Sequence, residues 1–219
     1  MTSTPRAPRP STPWRLVVPV QRAERAKTRL VAPEGVDRVD LARAIAADTL
    51  DAVCRALPPA DVVVVTSDPV GAELAAGLGA RVVGDPGGGL NAAIGAGLAV
   101  AVEGAGPGGT AVLLGDLPCL RPDDLVAGLD ACARHERAVV PDAEGTGTVL
   151  LSDRDATPVP RFGRGSAARH ARTSDVLALA LPRLRRDVDT AEDLRDAIRL
   201  GTGPRTAALL ASADDGRSA

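Results

Sequence analysis

Asp61-Val-Val-Val-Val-Thr66 decides the fold class. Four consecutive valines and a threonine leave no polar side for solvent. The run therefore reads as a strand buried on both faces, which is the habit of a parallel sheet. On its N-terminal side, Asp37–Leu57 carries Leu41, Ile45, Leu50, Val53 and Leu57 near helical period, and Pro58-Pro59 ends that helix. On its C-terminal side, Ser67-Asp68-Pro69 opens a second helix that stops by Gly77 or Gly79. Ala80–Val83 is then the next strand. This alternation predicts an α/β protein, a three-layer sandwich with helices on both faces of a mostly parallel central sheet.

The same alternation extends outward. Arg15–Val20 reads as the first strand, followed by a loop from Gln21 to Gly35. Gly84–Ala93 is a glycine-rich loop entering a helix that runs to about Glu103. Thr110–Gly115 is a fourth buried strand, Asp116–Pro122 a turn, and Asp123–His135 a helix. Arg137–Pro141 and Thr148–Leu151 follow as strands. Ser166–Ala171 reads as helical and Val176–Leu181 as strand-like. Thr190–Leu200 is the last helix expected; Thr190-Ala-Glu-Asp193 resembles a capping box with Asp in the Glu position. One domain is expected over 14–201. Residues 1–13, with four prolines, read as a disordered lead, and 202–219 as a mostly flexible tail.

Composition excludes several classes. The 26 basic and 28 acidic residues give a net charge of −2, which argues against a nucleic-acid or membrane-surface binder. With one Trp, one Phe and no Tyr, base stacking on aromatic platforms is excluded as a main mode. No run of 18 apolar residues exists to cross a membrane. The odd set Cys54, Cys119 and Cys132 lacks zinc-ligand spacing and reads as small buried hydrophobes in a reducing cytoplasm. Lys27 is the single lysine in an arginine-rich chain.

In open α/β sheets, ligands bind beyond the carboxyl ends of the strands. Five segments bear chemistry there. The loop after the first strand holds Arg22, Arg25, Lys27 and Arg29, cations suited to a triphosphate or a solvated helix start. Gly84–Asn91 lets backbone approach a ligand at a helix N-terminus, and Asn91 can face a base edge or cap. It is neither a dinucleotide fingerprint nor a Walker A loop. Asp116 stands at a strand tip, the usual place for a magnesium ligand beside phosphates. In Asp187-Val-Asp189-Thr190, extended backbone sends both carboxylates to one side, although Asp189 or Thr190 could merely cap. Finally, the turns Pro141–Thr148 and Arg161–Ser166, with His170, can offer amides and hydroxyls to a small anion.

The ordered set is specific: Pro19-Val; Ala26-Lys-Thr-Arg-Leu30; Gly88-Gly-Leu-Asn-Ala-Ala93; Gly115-Asp-Leu-Pro; Pro141-Asp with Gly145-Thr-Gly-Thr148; Phe162-Gly-x-x-Ser166 with His170; and Asp187-Val-Asp-Thr190. It resembles the 2-phospholactate / phosphoenolpyruvate guanylyltransferase family of coenzyme F-420 biosynthesis, over about 15–200. The resemblance implies the nucleotide-diphospho-sugar transferase-like fold and a reaction of GTP with a small phosphorylated carboxylic acid. It implies Lys27 and Asp116 as catalytic residues, and Pro19, Lys27, Gly88, Gly89, Leu90 and Asn91 as nucleotide-binding. It implies Thr148, Gly163 and Ser166 around the acceptor, and Mg2+ on Asp116, Asp187 and Asp189. The family usually carries a second lysine where this chain has Gln21. The expected partners are GTP and the acid, with no nucleic acid and no membrane; a homodimer is a candidate assembly.

Two readings compete. A molybdopterin nucleotidyltransferase of the same fold would show a fuller L-A-A-G-x-G loop after the first strand, which is absent here. A non-catalytic nucleotide-binding regulator has no need of Lys27, Asp116 and Asp189 together. A glycosyltransferase would place its D-x-D after a mid-chain strand, whereas Asp187–Asp189 lies near the C-terminus.

Overall fold

The computed structural model describes residues 9–24, 30–104 and 106–215. Seven strands form one sheet: β1 (Trp14–Val20), β2 (Val62–Thr66), β3 (Arg81–Gly84), β4 (Gly109–Leu113), β5 (Arg137–Pro141), β6 (Thr148–Asp153) and β7 (Asp175–Val176), in the order β3-β2-β1-β4-β6-β5-β7. The valine run is β2, buried at all five positions. It pairs in parallel with β1 and β3, and β1 pairs in parallel with β4. Sequential strands thus run outward from β1 in one direction, and β4 lies on its other side. The crevice beyond the carboxyl ends of β1 and β4 is the topological switch point.

Among the described residues, eight α-helices surround the sheet or pack on one another: α1 (Arg38–Ala56), α2 (Pro69–Gly77), α3 (Leu90–Val102), α4 (Pro122–Cys132), α5 (Ser166–His170), α6 (Pro182–Arg185), α7 (Ala191–Leu200) and α8 (Pro204–Asp215). Alternate strand residues feed opposite cores, as period two requires. Leu16, Val18, Val62, Val64, Ala111 and Leu113 pack with α1 and α4. Val17, Val63, Val65 and Val112 pack with Ile94 and Leu98 of α3. Without aromatics, depth comes from close backbone approach. A Cβ on Gly97 would stand 2.5 Å from a Val17 methyl, so α3 lies almost directly on β1.

The structure departs from the expectations in three places and adds a strand direction they left open. β6 is antiparallel to both β4 and β5, so the β5–β6 hairpin inverts one strand in the middle of the sheet. Of the strand-like 176–181, only Asp175–Val176 pairs; beyond it, Leu177 and Leu179 are partly buried against the core while the chain turns toward Pro182. Residues 204–215 are helical rather than a flexible tail. Asp48, in the middle of α1, accepts the backbone N–H groups of Arg205 at 3.0 Å and Thr206 at 2.8 Å, and so caps α8 from 157 residues away in sequence. Within the proline-rich lead, Ser11 donates both its backbone N–H and its hydroxyl to Asp130. The three cysteines are buried and unpaired, and burial pushes each thiol up to about 11. Among the described residues, no helix is long and apolar enough to cross a membrane.

Candidate active site

A cavity of about 580 Å³ opens at the switch point, a volume suited to a small-molecule ligand. The tip of β1 gives it Pro19, Val20 and Gln21, and the tip of β4 gives Leu114, Gly115 and Asp116. Leu90 enters from the start of α3. The opposite wall is the β5–β6 hairpin and the loop before α5, with Asp142, Thr148, Gly163, Arg164 and Ser166. Asp187 and Asp189 complete it. Of the residues singled out in the sequence, eight therefore meet on one surface: Pro19, Leu90, Asp116, Thr148, Gly163, Ser166, Asp187 and Asp189. Gly88, Gly89 and Asn91 sit beside this wall rather than on it, and Lys27 lies outside the described residues.

The Asp116 loop is held from several sides. Leu117 N–H donates to Thr49 Oγ1 of α1, and Thr49 in turn donates to Ile45 O. Val188 N–H donates to Asp116 O at 3.2 Å, and Gly203 N–H to Pro118 O at 2.7 Å. Val188 is fully buried between Asp187 and Asp189, and these two both line the cavity. The cap of α7 belongs to Thr190 and not to Asp189: the Thr190–Asp193 box forms in both directions.

Among the described lining residues, carboxylates outnumber cations. Asp116, Asp142, Asp187 and Asp189 line the cavity, whereas Arg164 is the one cationic side chain among its described lining residues. Asp142, Glu144 and Asp187 bring ligand oxygens within 4.8 Å of one another. Two of these three already work locally. Asp142 accepts Thr146 N–H at 2.8 Å and Gly147 N–H at 2.6 Å, and a Cβ on Gly147 would collide with that carboxylate. Glu144 pairs with Arg186 at 2.7 Å, and Arg186 also reaches Asp193 and Asp196, tying the hairpin to α7. The donors facing the cavity are carboxylate oxygens, which suit a hard divalent cation such as Mg2+ rather than zinc or copper.

Asn91 takes the role sequence reasoning did not weigh for it. Its Oδ1 accepts Phe162 N–H at 2.8 Å, and its Nδ2 donates to Phe162 O at 3.2 Å. The carboxamide thus clamps a peptide 71 residues away. The glycines ahead of it, Gly87 to Gly89, all have φ between 81° and 90°, a left-handed turn that only glycine makes without strain.

Behind the wall, Thr148, Ser166 and His170 are each 2% exposed and mutually bonded. Thr148 Oγ1 lies 2.9 Å from His170 Nδ1, and Ser166 Oγ lies 3.1 Å from Thr148 Oγ1. Arg161 N–H donates to His170 Nε2 at 2.9 Å. Burial, assisted by Arg169 and Arg161, pushes the His170 pKa down to about 4. The Phe162 ring meets the imidazole edge-on at 5.0 Å. Asp142, Glu144, Arg164 and the bonding of His170 to Thr148 are the features that local sequence reading left without a role.

A family model described as a MobA-like NTP transferase domain matches residues 42–199. A phosphoenolpyruvate guanylyltransferase from Thermomonospora curvata is 48% identical over 202 residues, covering 90% of this chain and 89% of the relative. A protein of the same name from Salinispora arenicola is 50% identical over 208 residues, covering 91% and 94%. Among solved structures, one provisionally assigned as a nucleotide-diphospho-sugar transferase from Desulfovibrio desulfuricans G20 superposes with a TM-score of 0.66 at 18% identity, over 92% of this chain and 95% of that one. A cytidylyltransferase from Leptospira borgpetersenii gives 0.54 at 16%, over 94% and 96%. These two likenesses establish the nucleotide-diphospho-sugar transferase-like fold. By family model and by identity over most of its length, the chain belongs to the MobA-like nucleotidyltransferases and, within them, to the phosphoenolpyruvate guanylyltransferase family.

Proposed function

We infer that this protein joins GTP to phosphoenolpyruvate, forming enolpyruvoyl-diphospho-guanosine and pyrophosphate, a step of coenzyme F-420 biosynthesis in the cytoplasm. A phosphate oxygen of the acceptor attacks the α-phosphorus of GTP. The new P–O bond forms as the bond to the β-phosphate oxygen breaks, and pyrophosphate carries off the leaving electron pair. Such chemistry demands alignment and charge neutralisation more than covalent catalysis.

The observation that carries this reading is the single cavity with two unlike walls: strand tips and a helix start on one side, buried hydroxyls on the other. Pro19, Gly88, Gly89 and Leu90 supply the nucleotide side, with backbone groups to select the purine. Asn91 contributes by holding Phe162. Lys27 neutralises the departing pyrophosphate. Thr148, Gly163 and Ser166 receive the acceptor. Asp116, Asp187 and Asp189 would hold magnesium, which supplies charge neutralisation at the α-phosphate when bound. That these three line one cavity and offer carboxylate oxygens, the ligands a hard divalent cation takes, supports that role.

Pyrophosphate release with GTP is the test, against phosphoenolpyruvate, 2-phospholactate and 3-phosphoglycerate in parallel. Release with phosphoenolpyruvate well above the other two is expected, and ATP should substitute poorly. Release with none of the three acids would refute the reading.

A further inference from the structure

The hydrogens around His170 can be counted. Arg161 N–H points at Nε2, so Nε2 carries a lone pair. A neutral imidazole then holds its proton on Nδ1, which faces Thr148 Oγ1 at 2.9 Å. Nδ1–H therefore donates to Thr148. Thr148 and Ser166 own two hydroxyl hydrogens, and the 3.1 Å contact between them uses one. The second has no protein acceptor among the described residues, and both residues line the cavity. With the opposite tautomer, Thr148 would donate to His170 and Ser166 to Thr148. The cavity would then meet only lone pairs and would repel an anion.

We propose that His170 is a positioning residue: held as the Nδ1–H tautomer by Arg161 N–H, it obliges the Thr148–Ser166 pair to present one O–H donor to an anionic oxygen of the acceptor. The inference deepens the proposed function and rests on its assignment of this wall to the acceptor. The tautomer is locked by the surroundings. Asn91 pins the Phe162 peptide on both sides, which fixes the neighbouring Arg161 N–H. The Phe162 ring then bears edge-on against the imidazole and limits its rotation. A side chain some distance from the substrate thus sets the polarity of the group that touches it.

Two measurements test this. The chain has only two histidines, so the ring nitrogens of uniformly 15N-labelled protein are assignable, with His170→Asn identifying the His170 signals. At pH 7 the expected pattern is a neutral ring protonated on Nδ1; a ring protonated on Nε2 overturns the proposal. In kinetics, His170→Ala should raise the Michaelis constant for phosphoenolpyruvate about tenfold and leave that for GTP unchanged. His170→Asn, whose amide can donate from the Nδ1 position, should restore the constant to within about threefold of wild type. An Asn variant that is folded yet as impaired as Ala, or a shift in the GTP constant instead, overturns it. If His170→Ala does not fold, the nitrogen shifts and the Asn variant still decide. Wild-type protein inactive with all three acids would defeat the acceptor assignment, a failure separable from the tautomer result.

Discussion

The two walls of the cavity are built by different means. The nucleotide wall belongs to the parallel half of the sheet, where β1, β4 and α3 present strand tips, backbone and a glycine turn. The wall proposed for the acceptor belongs to the inverted hairpin, the loop before α5 and α5 itself, where Asp142, Thr148, Ser166 and His170 are all hydrogen-bonded within the protein and Phe162 is held by Asn91 from α3. The first wall is a consequence of topology, since open α/β sheets bind ligands beyond the strand ends at a switch point. The second is a buried polar network, costly if any member is left unpaired and therefore specific. General recognition is assigned to backbone and selective recognition to side chains.

This comparison breaks or sharpens under mutation. The largest effect falls where the walls meet. Asp116→Ala should cut turnover roughly a thousandfold, because several kcal/mol of charge neutralisation are lost. Thermal unfolding should move little, and near-normal turnover in a folded variant would remove Asp116 from the chemistry.

His170 comes next, through stability. Its folded pKa of about 4 lies below its ordinary 6.5, so the unfolded chain binds the extra proton between those values. Stability is therefore full above about pH 6.5 and declines as pH falls toward 4, by roughly 3 kcal/mol at most. Arg161 and Arg169 face the ring and deepen the effect. Urea unfolding of wild type and His170→Asn at pH 7.5 and pH 4.5 isolates it; equal pH slopes in the two proteins would disprove it.

Asn91→Ala should cost about 1–3 kcal/mol, since it leaves the Phe162 N–H and C=O without their partner. Kinetically it should raise the Michaelis constant for phosphoenolpyruvate more than that for GTP. The reverse order would mean that Asn91 reads the base. The smallest effect is expected from Arg164→Ala. An exposed cation at the cavity rim should alter the phosphoenolpyruvate constant by roughly two- to fivefold, more at low salt than at high. Insensitivity to salt would show that Arg164 does not attract the acid.

The parallel half was legible because its signals are local. Val62–Val65, the Thr190–Asp193 box and the turn glycines each announce their structure within a few residues. The acceptor wall was legible only in its list of residues. The partner of Asn91 is 71 residues away, that of Thr148 is 22 away, and the α8 cap comes from Asp48 on α1. No periodicity encodes such pairings. The antiparallel direction of β6 also escapes a burial pattern, because all six of its residues are buried, as they would be in a central parallel strand.

The central claim is that the acceptor and the nucleotide occupy separable walls. Thr148→Val tests it most directly: it keeps the shape of the side chain and removes the hydroxyl, whose bonds run to His170 and Ser166. The account predicts a Michaelis constant for phosphoenolpyruvate raised about ten- to hundredfold, with that for GTP within about twofold of wild type. A rise in the GTP constant with the acid's unchanged would contradict it.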